Sequence, residues 1–177
     1  MRHARSRRHR LSVRTARLED VHRLAEFRLE MMRELHRLEG EPPPRPSAAA
    51  LRLYEGWVRK KMRKGELEGF FALTPDGVPV ASGFVWLQEF SAQPGVARSV
   101  RPRIQGMYTL PTYRHRGAAS LIVRAAVRWA RARHFTEVSL RPSVLGEPLY
   151  RGLGFRTVPE MHLDLRPPKR SRKARRG

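Results

Sequence analysis

The hydrophobic period of this chain changes near residue 69, and that change restricts the architectures open to it. Before it, Leu24, Phe27, Met31, Leu35 and Leu38 recur at spacings of three and four, and Leu51, Tyr54, Trp57, Val58 and Met62 do the same. An α-helix that buries one face has this period. After it, G-F-F-A-L over residues 69–73 and V-P-V-A-S-G-F-V-W-L over 78–87 read as strands, with T-P-D-G between them. Two strands around Asp76-Gly77 predict a β-hairpin with those residues at its tip. Two helices followed by paired strands exclude the all-helical and all-strand classes.

The other elements follow from local signals. Residues 11–14 (L-S-V-R) alternate as a half-buried strand does, Thr15 is the candidate N-cap of the first helix ahead of Glu19 and Asp20, and Gly40 followed by three prolines ends it. The E-P-P-P-R-P run over 41–46 is a stiff connector, and Ser47 caps the second helix. Residues 88–102, with Pro94-Gly95, read as a loop, and a strand over 103–110 stops at Pro111. A helix over 117–134 buries Leu121, Ile122, Ala125 and Trp129; a short strand at 137–140, a short helix at 146–152 and a closing strand at 155–165 complete the chain. The predicted order is β-α-α-β-β-β-α-β-α-β, an α/β fold with a three-layer or split sheet and no internal repeat.

At 177 residues the chain fits one domain, which buries roughly two-thirds of its unfolded surface and needs no covalent staple. The absence of Cys excludes thiolate zinc sites, thiol nucleophiles and disulfide scaffolds. No run approaches the ~18 apolar residues of a membrane span, and the Arg-rich start has no apolar segment behind it, so a cytoplasmic protein is expected. The net charge of +21 suggests a polyanion partner, but its placement weakens that inference. Residues 1–10 hold five Arg and residues 166–177 seven Lys or Arg, without one acid; the remainder keeps 25 basic against 16 acidic residues, or +9. Residues 1–10 and 166–177 are therefore expected to be disordered basic tails around a domain spanning 11–165.

Chemistry concentrates in residues 107–120, M-Y-T-L-P-T-Y-R-H-R-G-A-A-S. A strand stops at a proline, passes a basic loop and enters a helix through small residues. Unpaired N–H groups and the positive end of the dipole at such a helix start attract anions, and Gly117, Ala118 and Ala119 would let a pyrophosphate reach the backbone. Arg114 and Arg116 add charge. A basic helix entry packed through small residues is the other reading of this spacing.

The same residues resemble the GCN5-related N-acetyltransferases, whose motif Q/R-x-x-G-x-G/A lies between the fourth strand and third helix. Arg114-His115-Arg116-Gly117-Ala118-Ala119 fits it, and Y-T-L-P-T-Y precedes it as in many members. Downstream, S-V-L-G-E-P-L-Y-R-G-L-G-F over 143–155 is similar to the family's second cofactor segment, with Ser143 seven residues before Tyr150 and Leu153-Gly154-Phe155 closing it. The resemblance spans about residues 11–165. It implies a three-layer α/β fold with a central mixed, V-split sheet, acetyl-CoA as co-substrate between the splayed fourth and fifth strands, and no metal. Met107, Tyr108 and Thr109 would offer backbone groups to the pantetheine, His115, Arg116, Gly117, Ala118, Ala119 and Ser120 would wrap the pyrophosphate with Arg114 adding charge, and Tyr150 would be the general acid.

Family members often carry a Glu on or near the fourth strand to take the amine's proton. Residues 103–110 have no acid; Glu89 is the nearest in sequence, and water is the alternative. Arg124, Arg128 and Arg131 read as a solvated stripe from which Arg124 would reach the 3′-phosphate. Glu30 and Glu34, one turn apart on the first helix, would attract a cationic amine or be balanced by Arg33 and Arg37. Two other functions compete: a nucleic-acid- or ribosome-associated protein bound through its tails, and a CoA-binding module without turnover. The tails would make a salt-sensitive contact with nucleic acid or another acidic surface. No motif identifies the acceptor, small molecule or protein, or the oligomeric state.

Overall fold

The structure, a computed structural model, describes residues 11–43, 45–91, 94–95 and 99–159. Five strands form one sheet in the order β1 (Ser12–Thr15), β2 (Leu67–Leu73), β3 (Pro79–Glu89), β4 (Val100–Thr109) and β5 (Ser139–Leu140). The first four pair antiparallel, and β5 joins β4 in parallel. Helices α1 (Val21–Leu38) and α2 (Ala48–Arg63) cover one face, where Leu24, Phe27 and Val58 pack on Leu67, Phe71, Phe84 and Tyr108. Helix α3 (Ala118–Ala132) covers the other, with Ile122, Val123 and Trp129 against Phe70, Val80, Val85 and Ile104. A sheet buried on both faces needs apolar side chains at successive positions, which accounts for the unbroken runs of β2 and β3. Among the described residues no helix is long and apolar enough to cross a membrane.

Ser47 caps α2 by accepting the Ala50 N–H at 3.1 Å, and Gly77, at φ +80°, turns the hairpin by donating to Thr74 O at 2.9 Å. Thr15 does not cap α1; it is the last residue of β1. A 3-10 turn, Leu18–Asp20, leads into the helix, and the Asp20 carboxylate accepts the Arg17 N–H at 2.7 Å and both terminal nitrogens of Arg14 at 2.7 and 2.9 Å. The loop read over 88–102 is shorter, because the ladder continues through Gln88↔Arg101 and Glu89↔Val100. The closing strand read over 155–165 is absent from 155–159, and 160–165 lie outside the described residues. Phe155 packs instead on Tyr150 of α4 (Glu147–Gly152), with ring centroids 5.9 Å apart.

Two irregularities in β4 position the site. Gly106 and Met107 together oppose Gly83, since the register passes from Ser82↔Tyr108 to Phe84↔Gln105. Such a bulge inverts the alternation of side chains beyond it. Ile104 and Met107 therefore both join the α3 side, whereas Tyr108 turns to the α1 side and meets Phe27 edge-on at 6.1 Å. Glycine is required here: Gly106 lies at φ +64°, and a Cβ would come within 2.6 Å of Phe84 Cε1. Secondly, β5 pairs only with Arg103 and Ile104. The β4 edge over 105–109 therefore has no strand partner among the described residues, and the sheet is split there.

Candidate active site

The open edge of β4 runs to Thr109, the chain turns through Pro111–Tyr113, and α3 begins at Ala118. Arg114 returns to extended backbone, His115 has φ +59°, and Gly117 has φ +84° at the N-cap. Nothing lies within 4 Å of a Cβ built on Gly117, so its outer side is open. The first bond inside the helix runs from Leu121 N–H to Gly117 O at 3.0 Å. The N–H groups ahead of it have no partner within the helix, and with the dipole they make an anion seat.

A cavity of about 610 Å³ joins this helix start to the β4 edge. Met107, Tyr108 and Thr109 form one wall; Arg114, His115, Gly117, Ala118, Ala119 and Ser120 form the next. Ser143 and Tyr150 line the third side with Leu145, Gly146 and Leu149. Arg116, the remaining residue singled out from the sequence, lies off the wall with its guanidinium over the Tyr113 ring at 5.4 Å. Helix α1 closes the cavity with Met31, Glu34, Leu35 and Leu38. The sequence pattern put those Met and Leu residues in the core face. The fully buried residues of α1 are Val21, Leu24, Ala25 and Phe27; Met31 packs on the edge of their core cluster and also lines the cavity, and the stripe continues past it to Leu35 and Leu38 on the cavity wall.

Tyr150 is buried, and burial pushes its phenol above the ordinary tyrosine value, so its hydroxyl keeps the proton. The turn before α4 is built tightly around it. Ser143 Oγ accepts the Gly146 N–H at 3.2 Å, and a Cβ on Gly146 would lie 3.2 Å from both Ser143 Oγ and Tyr150 Cε2.

The Arg114 side chain turns toward α1. Its guanidinium pairs with the Glu34 carboxylate, its Nε donates to Thr109 O at 3.2 Å, and it lies 5.9 Å from the Tyr108 ring centroid. The Glu34 carboxylate raises the Arg114 pKa further, through that hydrogen bond. Tyr108 is also raised, by burial first and by the Glu34 charge second. Glu30 pairs with Arg33 at 2.7 Å as the helical spacing suggests, but Glu34 takes Arg114 instead of Arg37. Glu89 lies at the exposed end of β3 opposite Val100, remote from the cavity, whereas the Thr109 end of β4 pairs with Ala81. Arg124, Arg128 and Arg131 are exposed. Among the described residues no three His, Cys, Asp or Glu side chains gather as metal ligands would.

The fold has relatives among solved structures. A predicted acetyltransferase from Clostridium acetobutylicum with acetyl-CoA shares 23% identity over 88% of this chain and 97% of its own, with a TM-score of 0.73. A GCN5-related N-acetyltransferase from Ralstonia eutropha JMP134 shares 20% over 88% and 99%, with a TM-score of 0.70. AAC(6')-Iy in complex with the bisubstrate analog CoA-S-monomethyl-acetylneamine shares 19% over 89% and 99%, with a TM-score of 0.67. No curated protein matches by sequence. The profile of the Acetyltransferase (GNAT) family matches residues 29–155, more than half of the chain and the stretch that carries the split edge, the open helix start and Tyr150. This chain belongs to that family and is an acetyltransferase.

Proposed function

We propose that the protein transfers the acetyl group of acetyl-CoA to an amine by direct attack, with both substrates bound together. One observation carries this reading: a strand edge with no strand partner among the described residues, an open helix N-terminus and a buried neutral tyrosine line a single cavity. The donor, a substrate here, supplies an activated thioester. Backbone groups of Met107, Tyr108 and Thr109 fit its pantetheine, as the edge of a sheet fits an added strand. The N–H groups of residues 117–120 fit its pyrophosphate, and His115 and Ser143 border the same cavity. A backbone N–H of β4 stabilises the developing oxyanion and requires no particular side chain.

Tyr150 is the general acid in this reading, giving its proton to the departing thiolate; its raised pKa keeps that proton in place through the neutral range. β4 carries no acidic side chain, so in this reading the ammonium gives one proton to water before attack, and the second proton, shed by the nitrogen as the intermediate collapses, passes through water to restore Tyr150. The test is thiol release from acetyl-CoA with a panel of amines. Tyr150→Phe is expected to lower kcat by roughly 10² to 10⁴ while acetyl-CoA affinity stays within a few-fold. A fall in kcat below threefold, with chemistry limiting, removes Tyr150 from the role.

A further inference from the structure

We infer that Glu34 recognises the acceptor amine, and that the acceptor is a monoamine on an apolar stem. This rests on the acetyl-transfer reading and specifies the half of the cavity that the donor does not use. Among the described residues, Glu34 is the only acid lining it. Its carboxylate is held at the β4 edge by Arg114, which also bonds Thr109 O, so it stands beside the strand end where transfer would occur.

Arg114 engages Oε2 of Glu34, and among the described residues no hydrogen bond reaches Oε1. A carboxylate offers about four lone-pair sites and an ammonium three donors, so Glu34 keeps capacity for a second cation. Around it α1 presents Met31, Leu35 and Leu38, and Leu145 and Leu149 face the cavity from the far side. One carboxylate in an apolar wall matches one ammonium on an apolar stem. The second and third charges of a polyamine would meet Arg114 and the net charge of +9 carried by residues 11–165, which repel them. Glu30, one turn away, is already paired with Arg33 and is absent from the cavity wall.

The experiment uses the full chain with hexylamine and phenethylamine as acceptors, their alcohols (1-hexanol and 2-phenylethanol) as neutral competitors, and spermidine and phenylalanine as rivals. Wild type is expected to prefer a monoamine to both rivals by at least tenfold in kcat/KM. Glu34→Gln should raise KM for that monoamine ten- to a hundredfold, while the inhibition constant of its alcohol stays within twofold and the acetyl-CoA Kd within threefold. Glu34→Asp should fall between, and Glu30→Gln should match wild type. Equal losses of amine and alcohol binding, or of acetyl-CoA affinity, in a folded Glu34→Gln protein would show that Glu34 only holds Arg114 and would overturn the proposal. A wild-type preference for spermidine or phenylalanine would overturn the apolar-monoamine assignment. If wild type binds no acetyl-CoA, the parent reading fails, and that result is distinct from every Glu34 outcome.

Discussion

The anion seat at the start of α3 makes a prediction with two effects of opposite sign. The first turn of α3 carries no acidic residue, and Ala119 is half-buried on the cavity wall. In Ala119→Asp the new carboxylate faces the positive end of the helix, which stabilises the free protein by about 0.3 to 1 kcal/mol. For a domain of this size that corresponds to a rise in Tm of roughly 1 to 4 °C. The same carboxylate opposes a pyrophosphate on the neighbouring N–H groups. At a separation of roughly 6 Å and an effective dielectric near 20, each pair of unit charges repels by about 3 kcal/mol, and in bulk water by about 0.7 kcal/mol. Two phosphate charges then cost about 1.4 to 6 kcal/mol, a loss of roughly tenfold to more than a thousandfold in affinity. Calorimetric titration with acetyl-CoA and thermal unfolding of the free protein read the two effects separately, and Ala119→Asn controls for side-chain volume. An Ala119→Asp protein that is as stable as wild type and binds acetyl-CoA within threefold of it would refute the seat.

The other predictions concern the fold and its ends. Gly106→Ala places a Cβ at φ +64° and against Phe84, and is expected to lower the free energy of unfolding by about 1 to 3 kcal/mol, read as a lower urea midpoint at unchanged slope. The Asp20 carboxyl is held below its ordinary pKa, chiefly by the hydrogen bonds from Arg14, so its contribution is present above pH 4 and disappears as pH falls through the folded-state value. Asp20→Asn should therefore be less stable than wild type at pH 7, and the gap should close below about pH 4 in acid titrations followed by circular dichroism. We also propose residues 11–165 as the catalytic unit. A protein cut to them should keep its kinetics on a small amine while RNA retention becomes weaker and less salt-dependent, and loss of folding or activity would refute the boundary.

The parts of this protein legible in its sequence are those whose cause is local. The caps and turns at Ser47 and Asp76-Gly77 need only neighbours within four residues, and the small residues after Arg116 announce an exposed helix start wherever the helix packs. Hydrophobic period separated the helices from the strands for the same reason. Thr15 was misleading because a hydroxyl before an acidic pair also fits the end of a strand, and the ladder to Phe71 and Phe70 took Arg14 and Thr15 into β1.

The site itself divides along the same line. Residues 107–109, 114–120, 143 and 150 stood out through short motifs, and all of them but Arg116 line the cavity to which donor binding is proposed. What the sequence could not determine was which faces meet. The bulge at Gly106 exists because two residues of β4 oppose one of β3, and register is a property of two strands together. It sends Tyr108 to the α1 side, which no count along residues 103–110 reveals. The pairing of Glu34 with Arg114 joins positions 80 residues apart and displaces the local partner Arg37 that helical spacing offered. Glu89, nearest to β4 in sequence, pairs with Val100 at the start of β4, whereas the cavity lies at the Thr109 end opposite Ala81: an antiparallel hairpin keeps the residues flanking its loop together at one end of two long strands and leaves the site at the other. Local propensity and spacing act through bonded neighbours and are written in order along the chain; the α1 side of the cavity arises from long-range packing, which only the folded sheet and helices determine.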